Sequence, residues 1–261
     1  MLLKVVKEIA AKSFHGTTYP VREGLARGLK RKGGLGFLAR PKPLSVEEDF
    51  LAHIPLTGRT VYDVGCLEGL YTMFFARAVG PTGRVVAFEP NPANCAALRG
   101  NVAVNGFQNV SVYDVGLGEG TAHAELAVPY GLPGQGTART DLKNAYLRRR
   151  GTTRVPIRIR SLDEIVAADG LAAPNVIKID VEGFELPVLR GAVKTLGTFA
   201  PDLFIELHGL EDRDRAQNVA DILTLLGRRG YPPPLHVESG RSVEPAFAPP
   251  TEGHLWFSLT R

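Results

Sequence analysis

The sequence predicts an α/β fold in which helices cover both faces of a doubly wound, mostly parallel sheet. The main observation is that short apolar runs alternate with helical stretches from Ser45 onward, as they do in parallel sheets. A second is that a chain of 261 residues, 44% of them hydrophobic, suits one such domain with an extension. A third is that several apolar runs end in glycine or acidic residues, where a doubly wound sheet binds its ligand.

The predicted elements follow one another along the chain. Ser45-Val46-Glu47-Glu48 has the pattern of a capping box, so a short helix is expected to begin there. Hydrophobic periodicity then separates strands from helices. The predicted strands are Thr60–Val64, Arg84–Phe88, Asn109–Val115, Val176–Ile179 and Leu203–Leu207, and the predicted helices are Leu70–Val79, Pro92–Asn105, Glu185–Leu196 and Arg213–Arg229.

Two regions interrupt this alternation. Residues 116–160 contain two strand-like runs, Ala122–Val128 and Arg154–Arg160, around a glycine-rich loop at 131–136. We interpret this region as an insert that lies over the strand ends as a lid on the active site. After a proline-rich turn, Pro234–Glu238 and Leu255–Leu259 are predicted to form a C-terminal antiparallel strand pair.

Residues 1–43 form a basic N-terminal arm, and residues 44–261 form the main domain. The arm holds ten Lys/Arg and two Asp/Glu, although the whole chain has a net charge of only +4. Met1–Lys12 has the pattern of an amphipathic helix, and Gly33–Gly36 that of a flexible link. The arm is interpreted either as a solvated surface or as a contact with an anionic membrane, a nucleic acid or an acidic substrate.

The two cysteines, Cys66 and Cys95, have no metal-ligand spacing and favour a reducing compartment. No apolar run approaches the roughly 20 residues of a membrane span. Lys4 and Lys7 interrupt the first apolar stretch, which is therefore a poor signal peptide. We expect a cytoplasmic protein that associates with membranes, if at all, through its basic arm.

The stretch Val61-Tyr62-Asp63-Val64-Gly65-Cys66-Leu67-Glu68-Gly69 predicts a ligand-binding turn between a strand and a helix. It lacks the G-x-G-x-x-G spacing of dinucleotide-binding enzymes, which argues against a dehydrogenase. It fits the D-x-G-x-x-x-G loop of S-adenosylmethionine enzymes. Glu89, about 20 residues further on, ends the next strand, where a carboxylate binds ribose hydroxyls.

Two later strands also end in ionisable residues. Lys178, Asp180, Glu182 and Glu185 lie around the end of the strand Val176–Ile179, and Glu206 and His208 end the strand Leu203–Leu207. Charges at the end of a buried strand are costly unless they are paired or functional. We therefore expect Asp180, Glu182 and His208 to share one rim of the sheet.

Several of these motifs together resemble the FkbM-type methyltransferases, in unbroken order over about residues 58–210. The most specific is the run I177-K-I-D-V-E-G-F-E185 with its later Leu189 and Gly191. The others are D63-V-G-C-L-E-G69, F88-E-P-N-P-A-N94, S161-L-D-E-I165 and I205-E-L-H208.

The resemblance implies a class I, Rossmann-like methyltransferase that uses S-adenosylmethionine. It implies methyl transfer, most often to a hydroxyl on a sugar, lipid or secondary metabolite. By the same resemblance Asp63, Gly65 and Gly69 line the methionine end of the cofactor, Glu89 binds the ribose, Pro90 and Val115 border the adenine, and Asp180 lies beside the sulfonium. Where the family loop usually has Ala-Asn, this chain has Cys66-Leu67, which removes the Asn amide.

A hydroxyl acceptor needs a base, because an alcohol is a weak nucleophile. His208 is the first candidate, since its ordinary pKa of about 6.5 suits neutral pH, and Asp180 and Glu182 are its rivals. The alternative is a divalent metal, Mg²⁺ or Mn²⁺, held by Asp180, Glu206 and His208. Two other functions stay open: a methyltransferase-like binding module without activity, and a nucleic-acid methyltransferase. The sequence Asp180-Val181-Glu182-Gly183-Phe184 is not the N/D-P-P-Y/F type of base-methylating enzymes, so nucleic acid is disfavoured.

Overall fold

A computed structural model describes residues 16–33, 40–129, 137, 144, 147–148, 151–208, 212–244 and 250–259. The helices in this part of the chain are α1 Val46–His53, α2 Leu70–Val79, α3 Pro92–Val104, α4 Leu162–Asp169, α5 Glu185–Arg190, α6 Val193–Phe199 and α7 Asp212–Gly227. The strands are β1 Thr18–Pro20, β2 Lys30–Lys32, β3 Thr60–Val64, β4 Arg84–Phe88, β5 Val110–Tyr113, β6 Gly116–Leu117, β7 Ala122–Val128, β8 Thr153–Arg160, β9 Val176–Ile179, β10 Asp202–Glu206, β11 Leu235–His236, β12 Arg241–Ser242 and β13 His254–Phe257.

The central sheet has eight strands in the order β12-β11-β13-β10-β9-β3-β4-β5. The five strands from β10 to β5 run parallel, and β13, β11 and β12 are added antiparallel. From β3 the chain proceeds to β4 and β5 on one side, whereas β9 lies on the other. The ends of β3 and β9 are therefore the switch point at which such sheets bind ligands. The predicted doubly wound fold with its C-terminal antiparallel pair is confirmed.

Helices bury both faces of this sheet. On one face α4 to α7 pack with Tyr62 and Val64 of β3, and on the other face α1 and α2 pack with Val61. The alternation along β3 thus supplies apolar side chains to two layers, as a strand buried on both faces requires.

The predicted helices differ from the observed ones mainly in two places. The helix expected over Glu185–Leu196 is divided into α5 and α6 at Gly191, where a Cβ atom would overlap the carbonyl oxygen of Gly118. Helix α4 was not predicted, although Ser161 and Glu164 form the capping box at its start.

The insert forms a separate three-stranded sheet in the order β6-β8-β7. Its strands β7 and β8 lie where the sequence predicts them, and Leu126, Ile157 and Ile159 from this sheet pack with Phe184. This contact brings the insert against the loop that follows β9. The glycine-rich loop at 131–136 lies outside the described residues.

Part of the basic arm packs on the main domain. Strands β1 and β2 form a hairpin, and Asn101 and Asn105 of α3 accept hydrogen bonds from the backbone of Lys32 and Lys30. Arg77 of α2 donates to the backbone carbonyls of residues 25 and 27. The domain boundary at residue 43 stays a prediction, as does a membrane contact, and the helix predicted at 1–12 lies outside the described residues. None of the helices in the described part of the chain has the length and apolarity that a bilayer crossing requires.

Candidate active site

The loop between β3 and α2 depends on two glycines with positive φ. Gly65 has φ +79° and Gly69 has φ +86°, which side chains other than hydrogen rarely tolerate. A Cβ atom at Gly65 would overlap the carbonyl oxygen of Asp180, and one at Gly69 would overlap the side chain of Leu98. The loop can therefore lie close to the end of β9 only because these positions are glycine.

Leu67, at the centre of this loop, also has a left-handed backbone, with φ +50°. In this conformation its N–H donates to Oε2 of Glu89 at 2.9 Å. A residue with a Cβ atom is strained there, and Asn tolerates the conformation better than Leu. Leu67 therefore provides the backbone donor at this position in a conformation that Asn would adopt with less strain.

Glu89 is held firmly at the end of β4. Its Oε1 accepts hydrogen bonds from the backbone N–H of Asn91 at 2.9 Å and from Nδ2 of Asn94 at 3.1 Å. The residue is only 3% exposed, and burial raises its pKa although these donors partly oppose the shift. The carboxylate is thus fixed in orientation before any ligand binds.

Two clefts meet at the Gly65–Gly69 loop and share Gly65, Leu67, Asn94 and Asp180. The first has an empty volume of about 670 Å³, and the second has one of about 780 Å³. The first cleft is lined by Glu89, Pro90, Gly116, Leu117, Glu182 and apolar residues that include Leu126, Ile157, Ile159 and Phe184. The second is lined by Arg31, Tyr71 and Lys178 together with the loop itself.

A buried lysine joins two of the predicted site residues. Lys178 Nζ lies 3.0 Å from Asp180 Oδ2 and 3.9 Å from Asp63 Oδ1. Burial lowers the pKa of Lys178, but the charges of Asp180 and Asp63 outweigh it and raise the pKa above its usual value. Asp63 is fully buried, binds Thr72 through Oδ2, and does not belong to the lining of either cleft among the described residues. Its influence on a ligand would therefore pass through Lys178.

His208 lies within a ring of carboxylates. Its Nδ1 is 2.9 Å from Glu185 Oε1, and its Nε2 is 3.5 Å from Glu206 Oε1, 3.8 Å from Asp180 Oδ1 and 3.9 Å from Glu182 Oε2. Burial lowers the pKa of His208, but the hydrogen bonds to Glu185 and Glu206 outweigh it and raise the pKa to about 11. The imidazole of His208 is therefore a cation at neutral pH.

Glu182 has the carboxylate best suited to gaining and losing a proton near neutral pH. Burial raises its pKa to about 7, with His208 opposing the shift and neighbouring carboxylates adding to it. Its backbone has φ +49°, and its carbonyl accepts a hydrogen bond from Oγ1 of Thr137 in the insert. Local strain of this kind is often found at functional sites.

The structure brings together most of the residues that the sequence singles out. Gly65, Glu89, Pro90, Asp180 and Glu182 line the first cleft. Val115 is buried in the core instead, and the adjacent Gly116 and Leu117 contribute to the lining. Their roles toward a cofactor stay predictions.

Sequence reasoning named Glu185 among the charges at the end of a strand without giving it a role, and it missed Arg31. The fully buried Glu185 binds His208, the Gly183 N–H and Asn218 Nδ2, and the end of the I177–E185 run was its sequence signal. Arg31 comes from the arm, and no motif marked it.

The proposed metal ligands also lie near one another. One ligand atom from each of Asp180, Glu206 and His208 falls within a group no wider than 4.8 Å. A protonated His208 cannot bind a metal, so an ion at this position would have to displace a proton. A metal at this position stays a prediction.

Comparisons with known proteins give the family. Residues 49–233 match the Methyltransferase FkbM domain. A relative from Streptomyces tacrolimicus, the 31-O-demethyl-FK506 methyltransferase FkbM, is 32% identical over 196 residues, which cover 67% of this chain and 73% of that protein. The hexuronic acid methyltransferase AglP of Haloferax volcanii is 27% identical over 156 residues, which cover 59% of this chain and 58% of that protein.

A solved structure supports the fold. The methyltransferase FkbM from Methylobacillus flagellatus KT superimposes with a TM-score of 0.51 and 20% identity, covering 79% of this chain and 45% of that one. The matching domain spans well over half of the chain, and the glycine loop, Glu89 and the I177–E185 run all lie within it. The chain therefore belongs to the FkbM family of S-adenosylmethionine-dependent methyltransferases.

Proposed function

We propose that the chain transfers a methyl group from S-adenosylmethionine to a hydroxyl oxygen of a small-molecule or sugar acceptor. The observation that carries the proposal is the Glu182 carboxylate, which lines the first cleft and has a pKa of about 7. The relatives support an oxygen acceptor, since one is named for 31-O-demethyl-FK506 and another for hexuronic acid.

The residues at the junction of the two clefts fit the cofactor. Gly65 leaves the space beside Asp180 free of a side chain, and the fixed Glu89 carboxylate has one lone pair left, on Oε2, for a ribose hydroxyl. Pro90 and Gly116 both line the apolar end of the first cleft, where a planar adenine would lie. When bound, S-adenosylmethionine supplies an electrophilic methyl carbon on a sulfonium, and the enzyme has to align it with the acceptor oxygen.

We assign the proton-accepting step to Glu182 rather than to His208. A base must be unprotonated to act, and the raised pKa of about 11 keeps His208 protonated at neutral pH. Glu182 is partly ionised near pH 7, and its side chain is 22% exposed, so an acceptor can reach it. His208 would then act as a fixed cation that orients the surrounding carboxylates.

The metal-assisted reaction is the second candidate, and the proximity of Asp180, Glu206 and His208 favours it. It predicts that activity falls on chelation and returns with Mg²⁺ or Mn²⁺. If Glu182 alone removes the proton, chelation leaves the rate unchanged.

The test begins with calorimetric titration of the wild-type chain and Glu89→Ala with S-adenosylmethionine and, separately, with NADH. We expect binding of the former only, weakened at least tenfold in the variant because charge-assisted hydrogen bonds to ribose are lost. A panel of hydroxyl acceptors, including uronic acids and their methyl ethers as blocked controls, is then screened by mass spectrometry. Methylation of the hydroxyl compounds but not of the blocked ethers supports the proposal. Transfer to nitrogen, or none to any acceptor despite tight cofactor binding, contradicts it.

A further inference from the structure

Arg31 is the residue of the N-terminal hairpin that reaches the active site. It lies on β2, whose backbone donates hydrogen bonds to Asn101 of α3 and to the following Asn105 and accepts one from Asn105, and it lines the second cleft beside Gly65, Tyr71 and Lys178. It precedes residue 49, so the region that matches the family domain does not include it. The hairpin therefore adds to the second cleft a cation from outside the matched region.

The guanidinium of Arg31 has unused hydrogen-bonding capacity. Its Nη2 donates to Glu68 Oε2 in the glycine loop, whereas its Nε is buried and has no hydrogen-bond partner among the described residues. The side chain is 23% exposed, so part of it faces the cleft. A buried charged donor without a partner is costly, and such a group commonly marks the position of a ligand or water.

Lys178, the other cation that lines the second cleft, already faces two carboxyl groups. Lys178 is paired with Asp180 and with the deeper Asp63, which leaves it little capacity for an anion. The N-terminus of α2 begins at the same loop and adds a positive potential through its unpaired backbone N–H groups. Together these features favour a carboxylate in front of Arg31.

We propose that Arg31 binds the α-carboxylate of the methionine part of the cofactor and that Glu68 holds the guanidinium in position for it. The inference rests on the proposed function, because it takes S-adenosylmethionine as the occupant of the two clefts. With the adenosine part in the first cleft against Glu89, the amino-acid part extends past Gly65 into the second. A planar guanidinium matches a carboxylate with two parallel N–H groups, which a lysine cannot do.

The test compares two ligands that differ only in the amino-acid part. S-adenosylhomocysteine carries the carboxylate, and 5′-methylthioadenosine lacks it. For Arg31→Ala we expect binding of the first to weaken about 10- to 100-fold, because a charge-assisted hydrogen bond is lost, and binding of the second to change less than about twofold. Unchanged binding of 5′-methylthioadenosine also shows that the variant is folded.

Lys30→Ala is the matched control, since it removes one positive charge from the same strand and keeps the backbone hydrogen bonds to Asn105. It should bind both ligands like wild type. Arg31→Gln, which retains most of the side chain, replaces Arg31→Ala if the latter does not fold. Equal weakening of both ligands, or no weakening of either, overturns the inference about Arg31 alone. If wild type binds neither ligand, the proposed function fails and the inference fails with it.

Discussion

Replacing Lys178 with Met tests the electrostatic interactions beneath the Gly65–Gly69 loop. Lys178 is 3% exposed and its partner Asp63 is fully buried, with 3.9 Å between their charged atoms. At an effective dielectric constant of about 20, two unit charges at this distance attract by roughly 4 kcal/mol. Removal of one partner from a buried pair leaves the other without compensation, so we expect the free energy of unfolding to fall by about 3–5 kcal/mol.

The loss of stability in Lys178→Met should depend on pH in a defined direction. Burial raises the pKa of Asp63 and Lys178 lowers it, so the variant has an even higher folded-state pKa. An acid whose pKa is raised by folding stabilises the protein below its unfolded pKa, and this contribution is lost as pH rises through the folded value. The deficit of Lys178→Met should therefore be larger at pH 8 than at pH 5.

Urea unfolding followed by circular dichroism at both pH values measures this effect. Asp63→Asn in the Lys178→Met background removes the uncompensated charge and should recover part of the loss. Arg59→Met is the matched control, because its pair with Asp202 is more exposed, at 35% and 12%, and should contribute no more than about 1 kcal/mol. A loss below about 1 kcal/mol in Lys178→Met, or further destabilisation by Asp63→Asn in that background, would refute the reasoning.

Three further predictions follow from the loop and the rim. Leu67→Asn should raise the free energy of unfolding by about 0.5–1 kcal/mol in urea titration, because Asn adopts a left-handed backbone with less strain than Leu. Ala200, outside the site, has φ +47°, so Ala200→Asn should raise the free energy of unfolding by as much without affecting cofactor binding. The methylation rate should rise with pH through about 7, as Glu182 ionises, and this inflection should disappear with Glu182→Gln, whereas an inflection that persists would return the role of base to His208. Gly65→Ala should lower the free energy of unfolding by more than about 3 kcal/mol or prevent folding. A near-neutral effect in thermal unfolding would contradict the close approach of Gly65 to the loop that follows β9.

The order of strands and helices could be predicted because it depends on periodicity and on local start and stop signals. The break at Gly191 could not, because the position lies against Gly118, a residue distant in sequence, and the sequence does not show this contact. The protonation state of His208 could not be predicted either, because it also depends on contacts that only the fold creates. An isolated His has a pKa of about 6.5, and only the fold brings Glu185 within 2.9 Å of its ring. Arg31 was hidden because the sequence does not show that the hairpin returns to the glycine loop.

The charges at the rim of the sheet explain why the site contains so many carboxylates, although each is costly to bury. Lys178 and His208 lie among five carboxyl groups, those of Asp63, Asp180, Glu182, Glu185 and Glu206, and Glu206 is shared with His254. The carboxyl groups outnumber the cations, although burial raises the pKa of Asp63, Asp180 and Glu182, so we expect the site to favour a cation. A sulfonium is a cation before methyl transfer and a neutral thioether afterwards. With the sulfonium beside Asp180, as the family resemblance predicts, we expect the same excess to stabilise the methyl donor more than the product and to favour release of the product after the reaction.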